Sequence, residues 1–507
     1  MSSHLSDVNT SPTPEHHRGT LDEAIPRGVD PSLYNHDLAP TKRQGRKWSA
    51  YNFFALWAND VHSLGNYSFA MGLFALGLGT WQILLALGVG SAFLFVLLCL
   101  SGFMGYKTGV PFPVMSRISF GIRGAQIPAL IRGGVAIVWF GIQTYLASVV
   151  LRVLLVAVFP SLASMDTNSI LGLSTLGWLS FVALWIIQVI IVSYGMEMIR
   201  RYEAFAGPVI LFTMIALAVW MLSNADWTIA WTTPDSLTGV DMWLQIIGGA
   251  SLWVAIYGTF VLNFCDFTRN ATSKRAIVKG NFWGIPLNML VFGAIVITLA
   301  GAQFRIDGRI IEAPADIVQE VPNTLLLVLA ALALLILTVA VNLMANFVAP
   351  IYALNNLFPK QLNFRRAAFI SAVIGLVILP WNLYNSPAVI NYFLGGLGAI
   401  LGPLFGIIMA DYWLVRRSHI NVPALFTTDE RGEYQYANGV NGRAVVALVI
   451  TAVAALLMAF VPAFKVVSEF SWFIGAGLGA IVYLVVADRR GPFNDVSGEP
   501  IAVASTH

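Results

Sequence analysis

From Tyr51 to Val486 the chain repeats one pattern, apolar runs of about 20 residues or more, each long enough to cross a hydrocarbon layer of roughly 30 Å. In lipid every backbone N–H and C=O must find a partner within the structure, which restricts such runs to helices when they come as long continuous segments. Hydrophobic residues make up 57% of the chain and charged ones 11%, against about 25% charged in an ordinary soluble domain. A soluble enzyme is excluded. The fold class is an all-α polytopic membrane protein.

Apolar runs bounded by charge or by Pro and Gly predict twelve transmembrane helices. The first six lie near 51–79, 81–104, 133–159, 170–197, 204–222 and 241–264. The other six lie near 278–302, 323–347, 367–382, 388–414, 444–463 and 470–487. Residues 1–50 are polar, with no apolar core before a cleavage site, and read as a disordered cytoplasmic tail; 488–507 reads as a second cytoplasmic tail. Cys99 and Cys265 sit in or beside apolar segments far apart in the chain, so both read as packing residues and no disulfide framework is expected.

The net charge of +3 says less than where Lys and Arg fall. With the N-terminus inside, the inside loops hold Lys107, Arg117 and Arg123, then Arg200 and Arg201, then Arg269, Lys274, Arg275 and Lys279. Later inside loops hold Lys360, Arg365 and Arg366, then Arg416 and Arg417, whereas the outside segments 160–169, 223–240 and 383–387 hold none. The segment 303–322 is mixed, with Arg305 and Arg309 among acids. The asymmetry predicts a protein of the inner (plasma) membrane with both termini cytoplasmic.

Many carriers consist of two inverted five-helix repeats whose first helices are interrupted to expose backbone groups to substrate and ion. Here 51–222 would form the first repeat, 241–414 the second, and 444–487 two peripheral spans. Spans one and six then correspond. Span one carries Asn59, Asp60, His62, Gly65 and Asn66 inside an apolar run, and span six carries Gly248, Gly249, Gly258 and Asn263. Irregular backbone is tolerated only around a cavity, which points to a central site; close helix packing also explains the glycines.

Asp60 is the acid that stands well inside a predicted span, where a charge costs about 3 kcal/mol or more, and such groups usually have a function. It reads as a proton carrier, or as one half of a fixed pair with His62. His62 offers an imidazole to a substrate polar atom or to a shared proton. Trp139 and Gln143, four residues apart, share a helix face and set an aromatic plane beside an amide that both donates and accepts. Asn342 and Asn346 repeat that spacing, and their amides either face the cavity or bridge helices. The sequence has no GxxxxGK[ST], HExxH, paired CxxC or GxSxG, so ATP-driven transport and the familiar hydrolases lose support. A membrane enzyme would need a cluster of acids, His or Cys at one surface, and a channel a continuous polar path. A carrier fits better.

The chain resembles the nucleobase:cation symporter-1 family, which includes permeases for cytosine, uracil, allantoin and hydantoins. The likeness runs from about Leu38 to Val486. It rests on LWANDVHSLGNY (56–67), GVPFPVMSRISFGIRGAQIPAL (109–130), WFGIQTYLA (139–147), NFCDFTR (263–269), VNLMANFVAPIYAL (341–354), GPLFGIIMADYWLVRR (402–417) and SWFIG (471–475). The resemblance implies a leucine-transporter-like 5+5 inverted repeat plus two C-terminal helices, with substrate between spans one, three, six and eight. It implies that Trp139 stacks on the ring, Gln143 hydrogen-bonds it and Asn346 meets its amide edge. Tyr257, nine residues before Asp266, falls where many relatives have a second stacking Trp.

Sodium-coupled members of that family complete their ion site with paired hydroxyls just before the span-eight Asn. Those positions are Ala340 and Val341 here, with Thr338 misplaced by two residues. Neither side chain supplies an oxygen for a hard cation. Proton coupling through Asp60 is therefore expected; the alternative has Asp60 ligating sodium. The resulting expectation is a monomeric symporter without a resident cofactor, binding a small heterocycle and H+ or Na+ in a lipid bilayer, with no nucleic-acid partner. Nucleobases, allantoin and hydantoins are the substrate candidates, and an imidazole acid such as urocanate, with His62 as carboxylate partner, is a further one.

Overall fold

The computed structural model describes residues 25–232, 236–309, 323–489, 491 and 493–504, apart from the side chains of 387–392, 394, 395, 465 and 466. Among these, ten helices are long and apolar enough to cross a membrane. They include Thr80–Thr108, Gln126–Val158, Thr175–Ser193, Met196–Asn224, Lys274–Asp307 and Thr324–Leu357. Two predicted spans take another form. The first is two 12-residue helices, Ala50–Val61 and Leu64–Ala75, and the ninth is the 14-residue Phe364–Val377 followed after a break by Pro380–Tyr384.

Small residues bring the last helices together. Gly402 and Gly406, one helical turn apart on Pro387–Met409, meet the backbone carbonyls of Trp472 and Ala476 on Ser471–Val486. From the facing helix, a Cβ on Gly479 would lie 2.5 Å from the Pro403 carbonyl oxygen. A Gly406→Leu side chain therefore has no room without parting the helices, an overpacking effect of about 1–3 kcal/mol. The purified variant is expected to unfold at a clearly lower temperature than wild type in a thermal-shift assay.

The polar ends depart from the sequence expectation. Residues 1–24 of the predicted N-terminal tail lie outside the described residues, but 25–49 are docked rather than disordered. Leu38 and Trp48 are buried, Asn35 donates to the carbonyls of Pro359 and Leu362 at 2.8 and 2.7 Å, and Arg117 reaches the Leu33 carbonyl at 3.0 Å. The C-terminal segment is docked too. Lys42 N–H donates to the Val503 carbonyl at 2.9 Å, and Val422 N–H to that of Val496 at 3.0 Å. Sparse apolar anchors with many backbone partners hold both segments in place of a continuous hydrophobic stripe.

These contacts put both terminal segments on one face of the bundle, among the basic loops. Arg269 binds the carbonyls of Asp37 and Ala39, and Lys107 pairs with Asp495 at 2.8 Å. Asp411, buried at the end of its span, accepts from Ser119 and Tyr483 and pairs with Arg416 at 3.3 Å. The sequence stretches 109–130 and 402–417 thus meet in one polar assembly on that face.

Candidate functional site

The first span breaks at His62 and Ser63, between its two short helices. A break leaves carbonyls without helical partners. Asn66 supplies one, its Nδ2 donating to the carbonyl oxygens of Asp60 at 2.7 Å and Val61 at 3.3 Å. The sixth span breaks at Tyr257, between Gly239–Ile256 and Gly258–Asn263. Of the glycines expected to interrupt it, Gly258 marks the break, whereas Gly248 and Gly249 lie inside the continuous first half.

The two breaks are tied to each other. The Tyr257 hydroxyl accepts from Asn66 Nδ2 at 2.9 Å, and the Asp60 carboxyl is its neighbour. Its ring is 1% exposed and lies 5.5 Å from the Trp253 ring at an interplanar angle of 50°. In this conformation Tyr257 is a cross-brace rather than an open stacking surface. Tyr257→Phe keeps the ring and removes the brace, about 1 kcal/mol of hydrogen bonding, and is expected to slow initial-rate uptake by roughly fivefold or more with little change in thermal stability.

Asp60 occupies the last turn of Ala50–Val61 and is 6% exposed. His62, fully buried, is engaged at both ring nitrogens: Tyr67 O–H donates to Nδ1 at 2.7 Å and Nε2–H donates to Asn288 Oδ1 at 3.2 Å. These partners set the tautomer. They tie the break to the seventh span and leave neither nitrogen for a substrate carboxylate, nor for Asp60.

Trp139 and Gln143 share a face of the long helix Gln126–Val158, and both are half-buried. Phe393 lies 5.8 Å from the Trp139 ring. Among the described residues the Gln143 amide has no hydrogen-bond partner, so both its donor and its acceptor remain for a ligand. Asn342 and Asn346, by contrast, play different parts. The Asn342 amide donates to the Phe140 carbonyl, Thr144 and Gln188 at 3.1, 3.0 and 2.7 Å, which joins three helices. Its Oδ1 accepts from Asn346 Nδ2 at 2.9 Å. Asn346 sits in a π-helical turn, Leu343–Phe347, a distortion often found at functional sites. Asn342 thus presents Asn346 beside the 140–144 stretch. Ala340 and Val341 are buried, and Thr338 spends its hydroxyl on the Leu334 carbonyl at 2.8 Å.

Two buried ionisable residues, Arg132 and Glu203, lie just outside the spans that the sequence predicts. Arg132 lies seven residues before Trp139 on the same helix face, about 10 Å away along the axis. Its guanidinium binds Asn263 at 3.1 Å and the carbonyls of Thr259 and Ala345 at 3.3 and 3.0 Å, closing spans three, six and eight beneath the Trp139–Gln143 face. Glu203, on Met196–Asn224, receives the Asn59 amide at 2.6 Å. The signal for Arg132 was its helical phase with Trp139.

A helical bundle whose two interrupted helices are cross-braced beside an aromatic and amide surface defines a membrane permease. A family described as permease for cytosine/purines, uracil, thiamine, allantoin matches residues 40–475. The chain is 36% identical to the allantoin permease of Bacillus subtilis, over 91% of this chain and 94% of that protein. It is 32% identical to a putative allantoin permease of Escherichia coli, over 90% and 95% of the two chains. A solved structure of Mhp1, a nucleobase-cation-symport-1 family transporter, in a closed conformation with bromovinylhydantoin bound, superposes with a TM-score of 0.74 at 24% identity, covering 90% of this chain and 95% of that one. The chain belongs to the nucleobase-cation-symport-1 family of permeases; it is not an enzyme.

Proposed function

We propose that the protein imports a small planar nitrogen heterocycle of the allantoin, hydantoin or uracil kind by proton symport. The observation that carries this reading is the unpartnered Gln143 amide beside the half-buried Trp139, with Asn346 presented from the neighbouring helix. An aromatic plane and paired amides match the faces and edges of a cyclic ureide or lactam. Allantoin stands first because two relatives are named as permeases for it.

Asp60 carries the coupling proton in this reading, and Tyr257 and Asn66 link it to both interrupted helices. Sodium is disfavoured because Ala340 and Val341 bring no oxygen beyond the backbone. Substrate and proton bind from outside, one helical repeat rocks against the other, and both are released inward. Twelve spans in two inverted repeats of five plus two fit terminal segments that share a face, since that requires an even number of crossings. The basic loops on that face support a cytoplasmic placement. We take the transporter to act as a monomer with no resident cofactor.

The test is uptake of radiolabelled allantoin, hydantoin, uracil, cytosine and urocanate into cells expressing the protein, with and without sodium and with a protonophore. Accumulation of one ureide or nucleobase that ignores sodium and collapses with the protonophore is the expected result. Sodium-dependent, protonophore-insensitive uptake at a clamped potential overturns proton coupling. Preference for urocanate overturns the substrate class.

A further inference from the structure

Glu203 is a buried acid that the coupling scheme above leaves unused. It lies seven residues into Met196–Asn224 and is 1% exposed. Its Oε2 accepts from Asn59 Nδ2 at 2.6 Å, and the same amide also reaches the Glu203 and Ala55 carbonyls, each at 2.9 Å. The remaining two atoms of this contact, Glu203 Oε1 and Asn59 Oδ1, are buried and have no hydrogen-bond partner. Both are acceptors. A bare acceptor on each side of one buried contact lacks one thing, a hydrogen, and buried polar atoms without partners are rare.

One proton on Oε1 meets both needs. Oε1–H donates to Asn59 Oδ1 while Asn59 Nδ2 continues to donate to Oε2, which closes an acid–amide pair with all four atoms engaged. Asn59 is the residue before Asp60, on the same helix Ala50–Val61. With the termini inside, Glu203 lies on the cytoplasmic side of the first break, since only two helical turns separate it from the start of its helix.

The surroundings offer little competition for that proton. Tyr202 beside it reaches the Ile336 carbonyl at 3.3 Å, and Tyr51 of the first span the Ala204 carbonyl at 2.9 Å. His62 is turned to Tyr67 and Asn288. The helices Thr175–Ser193 and Thr324–Asn342, both packed on Met196–Asn224, carry no ionisable side chain, and Asn288–Asp307 carries Arg305 and Asp307 only at its far end. Toward the cytoplasm, Glu197 is paired with Arg200 and Arg201 at 2.6 and 2.9 Å.

Resting on the proton-symport reading of Asp60, we infer that Glu203 is a second proton-carrying carboxyl of the cycle, held protonated by Asn59 in this conformation. Opening toward the cytoplasm parts the first span from Met196–Asn224 and frees the pair. Glu203 then releases its proton to water, and the Asp60 proton replaces it on the Glu203 carboxylate, so one proton crosses per turnover.

The test is infrared difference spectroscopy of the full-length protein in lipid vesicles at neutral pH, joined to uptake of radiolabelled allantoin and uracil driven by a pH gradient. Glu203→Gln mimics the protonated acid, its Nε2 donating to Asn59 Oδ1, and keeps the pair closed. Its spectrum is expected to lack one protonated-carboxyl C=O band that wild type and Asp60→Asn both show. Asn59→Leu, which removes the partner and leaves the acid, shifts that band. Gradient-driven accumulation by Glu203→Gln falls at least about tenfold, the scale of a lost proton-transfer group, while exchange of preloaded substrate persists. If the Glu203→Gln difference shows only lost carboxylate bands, or if Asn59→Leu leaves the protonated band unmoved, the inference is overturned whatever Asp60 does. If the band is lost as expected but Asp60→Asn accumulates substrate like wild type, the role of Asp60 fails and the protonated Glu203 stands.

Discussion

Replacing Asp60 with Asn is expected to abolish accumulation of the transported heterocycle against its gradient, a loss on the order of 100-fold, while leaving substrate binding within about threefold of wild type. The argument starts from burial. Asp60 is 6% exposed at the end of a broken helix, and a carboxyl group in such a place persists only with a partner or a task. The Tyr257 hydroxyl is its polar neighbour, and His62 is committed elsewhere. Asn matches Asp in size, and the brace between the two breaks runs from Asn66 to Tyr257 without using the side chain at position 60, so it survives. What disappears is the ability to take and release a proton. The separate readouts decide the matter: binding by thermal shift with added substrate, exchange of preloaded substrate, and accumulation under a pH gradient. A variant that binds and exchanges yet cannot accumulate has lost coupling alone. One that accumulates normally removes Asp60 from the coupling scheme, and one that fails to bind makes Asp60 part of the substrate pocket.

The sequence makes the spans legible because membrane thickness dictates their length, so hydropathy finds them without any knowledge of packing. The broken helices are legible for a related reason: Asn59, Asp60 and Asn66 would be costly in an unbroken lipid-facing helix. Helix ends are harder. Hydropathy starts the fifth span at 204 and the third at 133, whereas the helices begin at Met196 and Gln126, so it places Glu203 and Arg132 outside the spans. Both sit where hydropathy falls off because that end of the helix carries charge, and only tertiary contact reveals them as buried. The division of labour between Asn342 and Asn346 was likewise beyond the spacing. Their four-residue interval puts them on one face, but it is Phe140, Thr144 and Gln188 that make Asn342 a strut and leave Asn346 to the site. The docked segment 25–49 hid behind its polarity. Its anchors are single residues such as Leu38 and Trp48, with no periodicity to betray them.

Trp139→Ala is expected to weaken substrate binding by about 2 kcal/mol, roughly 30-fold, with a smaller effect on the maximal rate. Trp139 is half-buried with its ring 5.8 Å from Phe393, so part of its surface is left for a ligand, unlike the sealed Trp253 and Tyr257 rings. A planar ring laid on that surface gains stacking and buries apolar area together, and the small side chain forfeits both. Trp139→Phe keeps a narrower plane and should recover most of the affinity. Gln143→Leu supplies the complementary control, because it preserves volume and the stack but removes a donor and an acceptor that no described protein group uses. Concentration dependence of initial-rate uptake separates these effects. A half-saturation concentration that rises for Trp139→Ala and Gln143→Leu and recovers in Trp139→Phe places the heterocycle on this helix face. Unchanged values for both Trp139→Ala and Gln143→Leu move the binding site elsewhere in the bundle.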